Sequence, residues 1–349
     1  MLNIPEQRLN LLLYYNIKFR CQENFVDNKP NINIIYFFYT EFFYKKMNGL
    51  NGLIFKKIVL EDKDFLNSFL KPYNFKTHEF CFTNLYIWRD FCDIEYAVYK
   101  NCLIIKKLDA LNLEPHFMQP INFDISDFRE IIDLLAGLTK KFEMKYIFRD
   151  AEEDFAMKLE EFFPGKFLIK LDRDNSDYIY EKQNFIDFSN KKLKPKRRQF
   201  NQFVKTYDFQ FSEINRSITG DCIAFIENEI NSNILGDLTR YEMNANIDLF
   251  LNFEKLDLFG VSVYANGKIA GYIVGERLNR STGLMHIAKA DKIYKGIFAF
   301  LKHKFASSME LNDAEFINDE QDLGIESLRI AKKMYCPVKL EPKYIITLK

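Results

Sequence analysis

The chain has 349 residues, more than one core usually supports, and its 48% hydrophobic and 28% charged content can bury sizeable cores. Lys plus Arg and Asp plus Glu number 49 each, so overall charge points to neither nucleic acid nor membrane, and electrostatic recognition must be local. Six cysteines without a C-x-x-C pair and four histidines without H-E-x-x-H argue against a structural zinc or iron–sulfur centre, and no metal is expected.

Residues 1–46 carry no alternating strand and helix signals, and Met47 precedes the flexible Asn48-Gly49-Leu50-Asn51-Gly52. They are expected to be an N-terminal extension, disordered or non-native, with Met47 as an alternative start. Their richest apolar run, Ile32 to Tyr44, is broken by Thr40 and Glu41 and falls short of the roughly 20 residues that span a bilayer. No integral membrane segment is expected, and without a signal peptide the thiols read as reduced and the location as cytoplasmic.

From Leu53 the order of elements carries the information. Strand-like Leu53 to Val59 leads to a helix over Asp62 to Leu70, and Ile94 to Val98 and Leu103 to Lys107 flank Lys100-Asn101 as a hairpin. A strand at His116 to Pro120 precedes a helix over Ser126 to Met144, with Phe128, Ile131, Ile132, Leu134 and Leu135 on its apolar face. Strand Tyr146 to Phe148, a helix with Phe155, Leu159 and Phe162 inward, and strand Phe167 to Leu171 follow. The same order returns later: a hairpin around Asn266-Gly267, strand Leu284 to Ala288, helix Gly296 to Met309, strand Glu315 to Ile317, helix Ile325 to Lys333 and strand Tyr344 to Leu348. A repeated unit of this size predicts two similar α/β domains, at 47–175 and 176–349.

Between the halves, six of residues 191 to 198 are Lys or Arg. Phe200, Phe203, Val204 and Tyr207 recur at helical spacing after Pro195, so Lys196, Arg197 and Arg198 fall in a first helical turn, where cations oppose the helix dipole by about 0.3–1 kcal/mol each. An anionic ligand would reverse that sign, and Lys192, Lys196, Arg197 and Arg198 are expected to meet a phosphate or a tRNA backbone. The bland reading is a solvated linker with carboxylates nearby.

The order of elements resembles the acyltransferase fold of the GCN5-related N-acetyltransferases used twice in tandem, as in the Fem-type aminoacyl transferases. Ser176 to Tyr180, Lys191 to Phe203, His286 to Gly296 and Ile317 to Tyr335 resemble successive blocks of the phosphatidylglycerol lysyltransferase C-terminal domain family, over roughly residues 50 to 349. The resemblance implies an α/β (α+β) fold of two mixed sheets flanked by helices. Only the second half carries Glu276, His286, Lys289, Gly296, Asn318, Glu320 and Arg329 around one strand edge, so it is expected to be active and the first domain structural. The resemblance also implies transfer of an acyl or aminoacyl group from aminoacyl-tRNA or acyl-CoA to an amine or hydroxyl on a lipid or peptide, with no other cofactor required. The family's lipid-modifying members usually carry a multi-spanning membrane domain ahead of this module, and none is expected here. Asp291 to Gly296 offers a single glycine where acetyltransferases carry a pyrophosphate loop. The competing class is a non-catalytic tandem module that binds an anionic small molecule or RNA.

Catalysis is expected at one sheet edge of the second half. Lys289 would stabilise charge, Glu276 or His286 would accept a proton, and backbone amides near Ala288 to Ala290 would meet the oxyanion. Tyr178, Gly296, Asn318, Glu320 and Arg329 complete the expected ligand-binding set. No Ser-His-Asp or Cys-His nucleophile signature supports a covalent enzyme.

Overall fold

The computed structural model describes residues 53–110, 112–232 and 237–349. The N-terminal extension and the start at Met47 lie outside the described residues.

The first half begins with a short edge strand β1 (Lys56–Lys57), helix α1 (Lys63–Leu70) and helix α2 (Phe82–Ile87). Leu66, Phe69 and Leu70 recur at helical spacing in α1 and are its buried residues. Strands β2 (Glu95–Tyr99) and β3 (Cys102–Leu108) turn through Lys100 and Asn101 at φ of 47° and 58°, the left-handed pair that a type I′ hairpin requires. Strand β4 (Pro115–Phe117), helix α3 (Phe128–Lys141), strand β5 (Phe148–Ala151), helix α4 (Glu153–Phe162) and strand β6 (Phe167–Leu171) complete it.

The second half runs through β7 (Asp177–Glu181), α5 (Gln183–Ile186), α6 (Lys194–Thr206), β8 (Phe209–Glu213), α7 (Arg216–Ser232) and α8 (Asp237–Leu251). It continues with β9 (Phe259–Ala265), β10 (Lys268–Arg277), β11 (Thr282–Ala290), α9 (Ile297–Ala306), β12 (Phe316–Asn318), α10 (Glu326–Lys333), β13 (Lys339–Glu341) and β14 (Tyr344–Leu348). The helices α7 and α8 are absent from the sequence expectation. Buried Asn246 sits between Ala245 and Leu249 on the packed side of α8, which blurs the apolar period.

The strands form two seven-stranded sheets ordered β1-β2-β3-β4-β5-β14-β6 and β8-β9-β10-β11-β12-β7-β13. In each, a hairpin leads to a strand whose helical crossover produces one parallel pair, β4 with β5 and β11 with β12. The two orders match position by position, so β14 occupies in the first sheet the place that β7 occupies in the second. The expectation that Tyr344–Leu348 closes the second half is therefore corrected. That strand pairs antiparallel with both β5 and β6 of the first half. Period-2 alternation identifies a strand, but pairing across almost 200 residues depends on which edges the fold leaves open.

A buried polar network ties the two sheets together where β7 and β14 begin. Asp177 opens β7, and its carboxylate receives the Lys343 ammonium at 2.8 Å, the Asn318 amide at 2.8 Å, and the His78 backbone N–H at 2.8 Å, with the His78 ring at 2.9 Å. Lys343 also reaches Glu79 at 3.2 Å, and Lys107 joins Glu79 at 2.7 Å to Asp150 at 2.8 Å. Asp177 and Lys343 are both fully buried. Charges at this depth persist only because each has partners.

Candidate active site

His286 reaches its position through a β-bulge. Val274 on β10 pairs with Ile287 on β11, yet Gly275 pairs with Met285, so His286 is an extra residue on β11. Gly275 permits the local crowding, since a Cβ there would lie 1.9 Å from the Leu284 carbonyl oxygen. Below the bulge β11 pairs with β12 only from Thr282 to Leu284. Beyond Leu284 that edge of β11 has no ladder partner among the described residues.

The imidazole is held between two carboxylates. Its Nε2 lies 2.9 Å from Glu276 Oε1, at the end of β10, and its Nδ1 lies 3.0 Å from Glu320 Oε1. Glu320 adopts φ of 55°, a left-handed backbone that costs a non-glycine residue energy, and Asn318 Oδ1 holds it there by accepting its N–H at 2.8 Å. Burial alone would lower the His286 pKa, but the Cys81 sulfur, Glu276 and Glu320 outweigh it and raise the pKa well above the ordinary value. The ring is therefore cationic at neutral pH and donates from both nitrogens.

Cys81 is the member of this group that sequence reasoning missed, because nothing in Cys81-Phe82-Thr83-Asn84 marks it as more than a small buried residue. Its sulfur, a Glu276 oxygen and a His286 nitrogen lie within 4.8 Å of one another. Burial, reinforced by Glu276, pushes the thiol up to about 12, so it is a neutral wall and not a nucleophile. Sulfur, imidazole and carboxylate are donor types that suit a transition metal. In this structure both imidazole nitrogens are instead engaged with carboxylates. Beside the group lies a cavity of about 190 Å³ lined in part by Asn67, Phe80, Cys81, Thr83, Leu256 and Glu276. Glu276 thus touches both the histidine and the open space.

Of the expected site residues, His286, Glu276, Glu320 and Asn318 come together, whereas others are placed elsewhere. Lys289, expected to stabilise developing charge, forms an ion pair at 2.8 Å with Glu242 of α8. Tyr178 and Arg329, expected to bind ligand, both bond to the buried carboxylate of Asp322, at 2.6 Å and 2.9 Å, where Arg173 joins them. That cluster fixes the loop carrying Glu320. Gly296, expected to let a ligand phosphate approach the start of α9, instead makes room for α6. A Cβ there would lie 2.1 Å from the Gln199 carbonyl oxygen, and the residue sits at φ of 94°. Gly296→Ala should destabilise the fold by at least about 1–3 kcal/mol, read as a lower midpoint in denaturant titration.

The basic block divides. Lys192, Arg197 and Arg198 are exposed, but Lys196 is 8% exposed with its ammonium 4.3 Å from the Tyr335 ring centroid. The three residues do fall in the first turn of α6, but Lys196 does not share the exposed face of Arg197 and Arg198. Lys196 lies four and seven residues before Phe200 and Phe203, which puts it on the buried face of α6.

Two matching mixed sheets, each with one helical crossover between its parallel strands, have the tandem GCN5-related N-acetyltransferase-like fold. The model of the phosphatidylglycerol lysyltransferase C-terminal family matches residues 70–347, and the chain belongs to that family. A crystal structure of a protein of unknown function from Bacteroides thetaiotaomicron is 29% identical, covering 85% of this chain and all of that one, with a TM-score of 0.77. The C-terminal domain of a putative lysylphosphatidylglycerol synthetase from Agrobacterium fabrum is 12% identical over 74% of this chain and 85% of its own, with a TM-score of 0.53. FemX shares the fold at 9% identity, 83% and 96% coverage and a TM-score of 0.50. An uncharacterised protein of Mycoplasmoides gallisepticum is 25% identical over 53% of this chain and 61% of its own length, so the match spans about three fifths of that relative. Among the described residues no helix is long and apolar enough to cross a membrane.

Proposed function

We propose that the chain transfers an acyl or aminoacyl group from an activated donor to an amine or hydroxyl acceptor, with chemistry at Glu276 and His286. The observation that carries this reading is the bulged, cationic His286 clamped between Glu276 and Glu320 at the wall of a cavity. Glu276 takes the proton of the attacking amine or hydroxyl as that atom bonds to the donor's carbonyl carbon. The tetrahedral oxyanion meets backbone N–H groups on the open edge of β11 near Ala288 to Ala290, and the His286 cation supplies the nearby positive charge expected of Lys289. Collapse breaks the bond from carbon to the donor's oxygen or sulfur, and the proton held by the Glu276–His286 pair returns to the leaving group.

Aminoacyl-tRNA suits this site better than acyl-CoA, because the Gln199 carbonyl fills the approach to the start of α9 that a pyrophosphate would need. The acceptor is a lipid or peptide, reached from the cytoplasm or from the membrane periphery, and no further cofactor is required.

The test supplies the full chain with a tRNA pool charged with labelled amino acids, or with labelled acetyl-CoA. Phosphatidylglycerol vesicles and a peptide mixture serve as acceptors. Label entering lipid or peptide in a Glu276-dependent manner supports the reading. tRNA binding without transfer from either donor overturns it in favour of a non-catalytic module. Lys289→Ala should keep transfer within a few-fold of wild type in the same assay.

A further inference from the structure

A second cluster of charged groups lies on the other side of the loop that carries Glu320. Lys196 of α6, Lys302 of α9 and Lys332 of α10 are each 8% exposed. Asp319 is the carboxylate among them. Lys302 forms an ion pair with it, and Lys332 lies 3.7 Å from it while also donating to the Asp319 backbone oxygen. The Lys196 ammonium has no ion pair or hydrogen bond among the described residues. Its ammonium rests on the face of Tyr335, the same ring that carries Lys302 at 4.9 Å. Lys302 and Lys332 thus share one carboxylate, and Lys196 shares the Tyr335 ring with Lys302 without a carboxylate of its own.

Stability does not account for that arrangement. An ammonium removed from water without a carboxylate costs energy that an apolar side chain of similar length would not. Burial first, and then Lys302, pull Lys196 down to about 8. The missing element is negative charge. Exposed Lys192, Arg197 and Arg198 surround Lys196 in sequence, so an anion nearing this turn meets further cations.

We propose that Lys196, Lys302 and Lys332 form a phosphate-binding site that receives a phosphate group of the donor. The identity of the donor rests on the function proposed above, but phosphate binding itself does not. Either the terminal phosphodiester of a charged tRNA or the phosphates of coenzyme A could supply this group. Asp319 and Glu320 are consecutive, so one short loop contacts both the phosphate site and His286. Donor binding would thus be felt directly at the reacting group.

The experiment titrates the full chain with inorganic pyrophosphate by calorimetry, and then adds uncharged tRNA or coenzyme A as competitor. Wild type should bind pyrophosphate with an affinity that falls as salt rises, and Lys196→Met should weaken it by about tenfold or more. The apo Lys196→Met protein should melt at or above the wild-type temperature, because the variant relieves an uncompensated buried cation. A purely structural lysine would instead lower it. Displacement by tRNA but not coenzyme A assigns the phosphate to tRNA, and the reverse assigns it to coenzyme A. Lys332→Met provides an independent variant with the same expected loss. Equal pyrophosphate affinity in wild type and Lys196→Met, or no wild-type binding, overturns the proposal even if transfer is observed. A failure of transfer with intact, Lys196-dependent binding would overturn only the proposed function.

Discussion

Glu276→Gln should lower the rate of transfer by on the order of 10²–10⁴-fold, the usual contribution of a positioned acid–base group. Its melting temperature should change little, because the side chain is 17% exposed and the amide can still accept from His286. A purely structural carboxylate would give the opposite pair of results. The pH profile adds a sign. The His286 pKa is raised, so the cation is fully present below the ordinary histidine value and is lost as pH rises through the folded-state value. Transfer should hold through neutrality and decline on the alkaline side. His286→Asn should remove that limb along with most of the rate, as single-turnover assays across pH would show.

Lys343→Met should be the most damaging single change to the fold. It leaves Asp177 fully buried without its ammonium and strips Glu79 of one of its lysines, a loss that typically costs about 3–5 kcal/mol, or about 10 °C in melting temperature. The effect should reach both halves, since Asp177 opens β7 of the second sheet and Lys343 precedes β14 of the first. The same network sets acid sensitivity. Burial and Asp150 oppose ionisation of Glu79, but Lys107, Lys343 and His78 outweigh them and hold it at about 2. A depressed pKa contributes stability that is present above about 4.5 and is lost as pH falls towards about 2. Wild-type melting temperature should therefore drop across that window, and by less in Lys343→Met.

Much of the fold was legible because its signals are local. Lys100-Asn101 and Asn266-Gly267 mark hairpins, and Leu66, Phe69 and Leu70 mark a helix, through conformations that depend on near neighbours. The repeat was legible for the same reason, and with it the gathering of Glu276, His286, Asn318 and Glu320 in the second sheet, although Lys289, Tyr178 and Arg329, expected with them, make their contacts elsewhere. The exchange of β14 into the first sheet was not legible, because alternation does not name a partner strand. Lys196 illustrates a different failure. Read as part of a charge run it belongs to solvent, but read by helical position it shares a face with Phe200 and Phe203. The second signal was available and proved the stronger. Cys81 and His78 carried no signal at all, since their importance lies in contacts with residues 177, 276 and 286, far along the chain.

The central claim is that chemistry occurs in the second half, at Glu276 and His286, with the edge of β11 that β12 leaves free close by in the chain. A crystal structure with a non-hydrolysable aminoacyl-adenosine bound tests it most directly. The expected result is an acyl carbonyl against the β11 edge near Ala288 and the aminoacyl group in the cavity beside Cys81 and Glu276. Occupancy instead in the first half, beside His116 and Asp150, with the His286 cavity empty, would contradict the account.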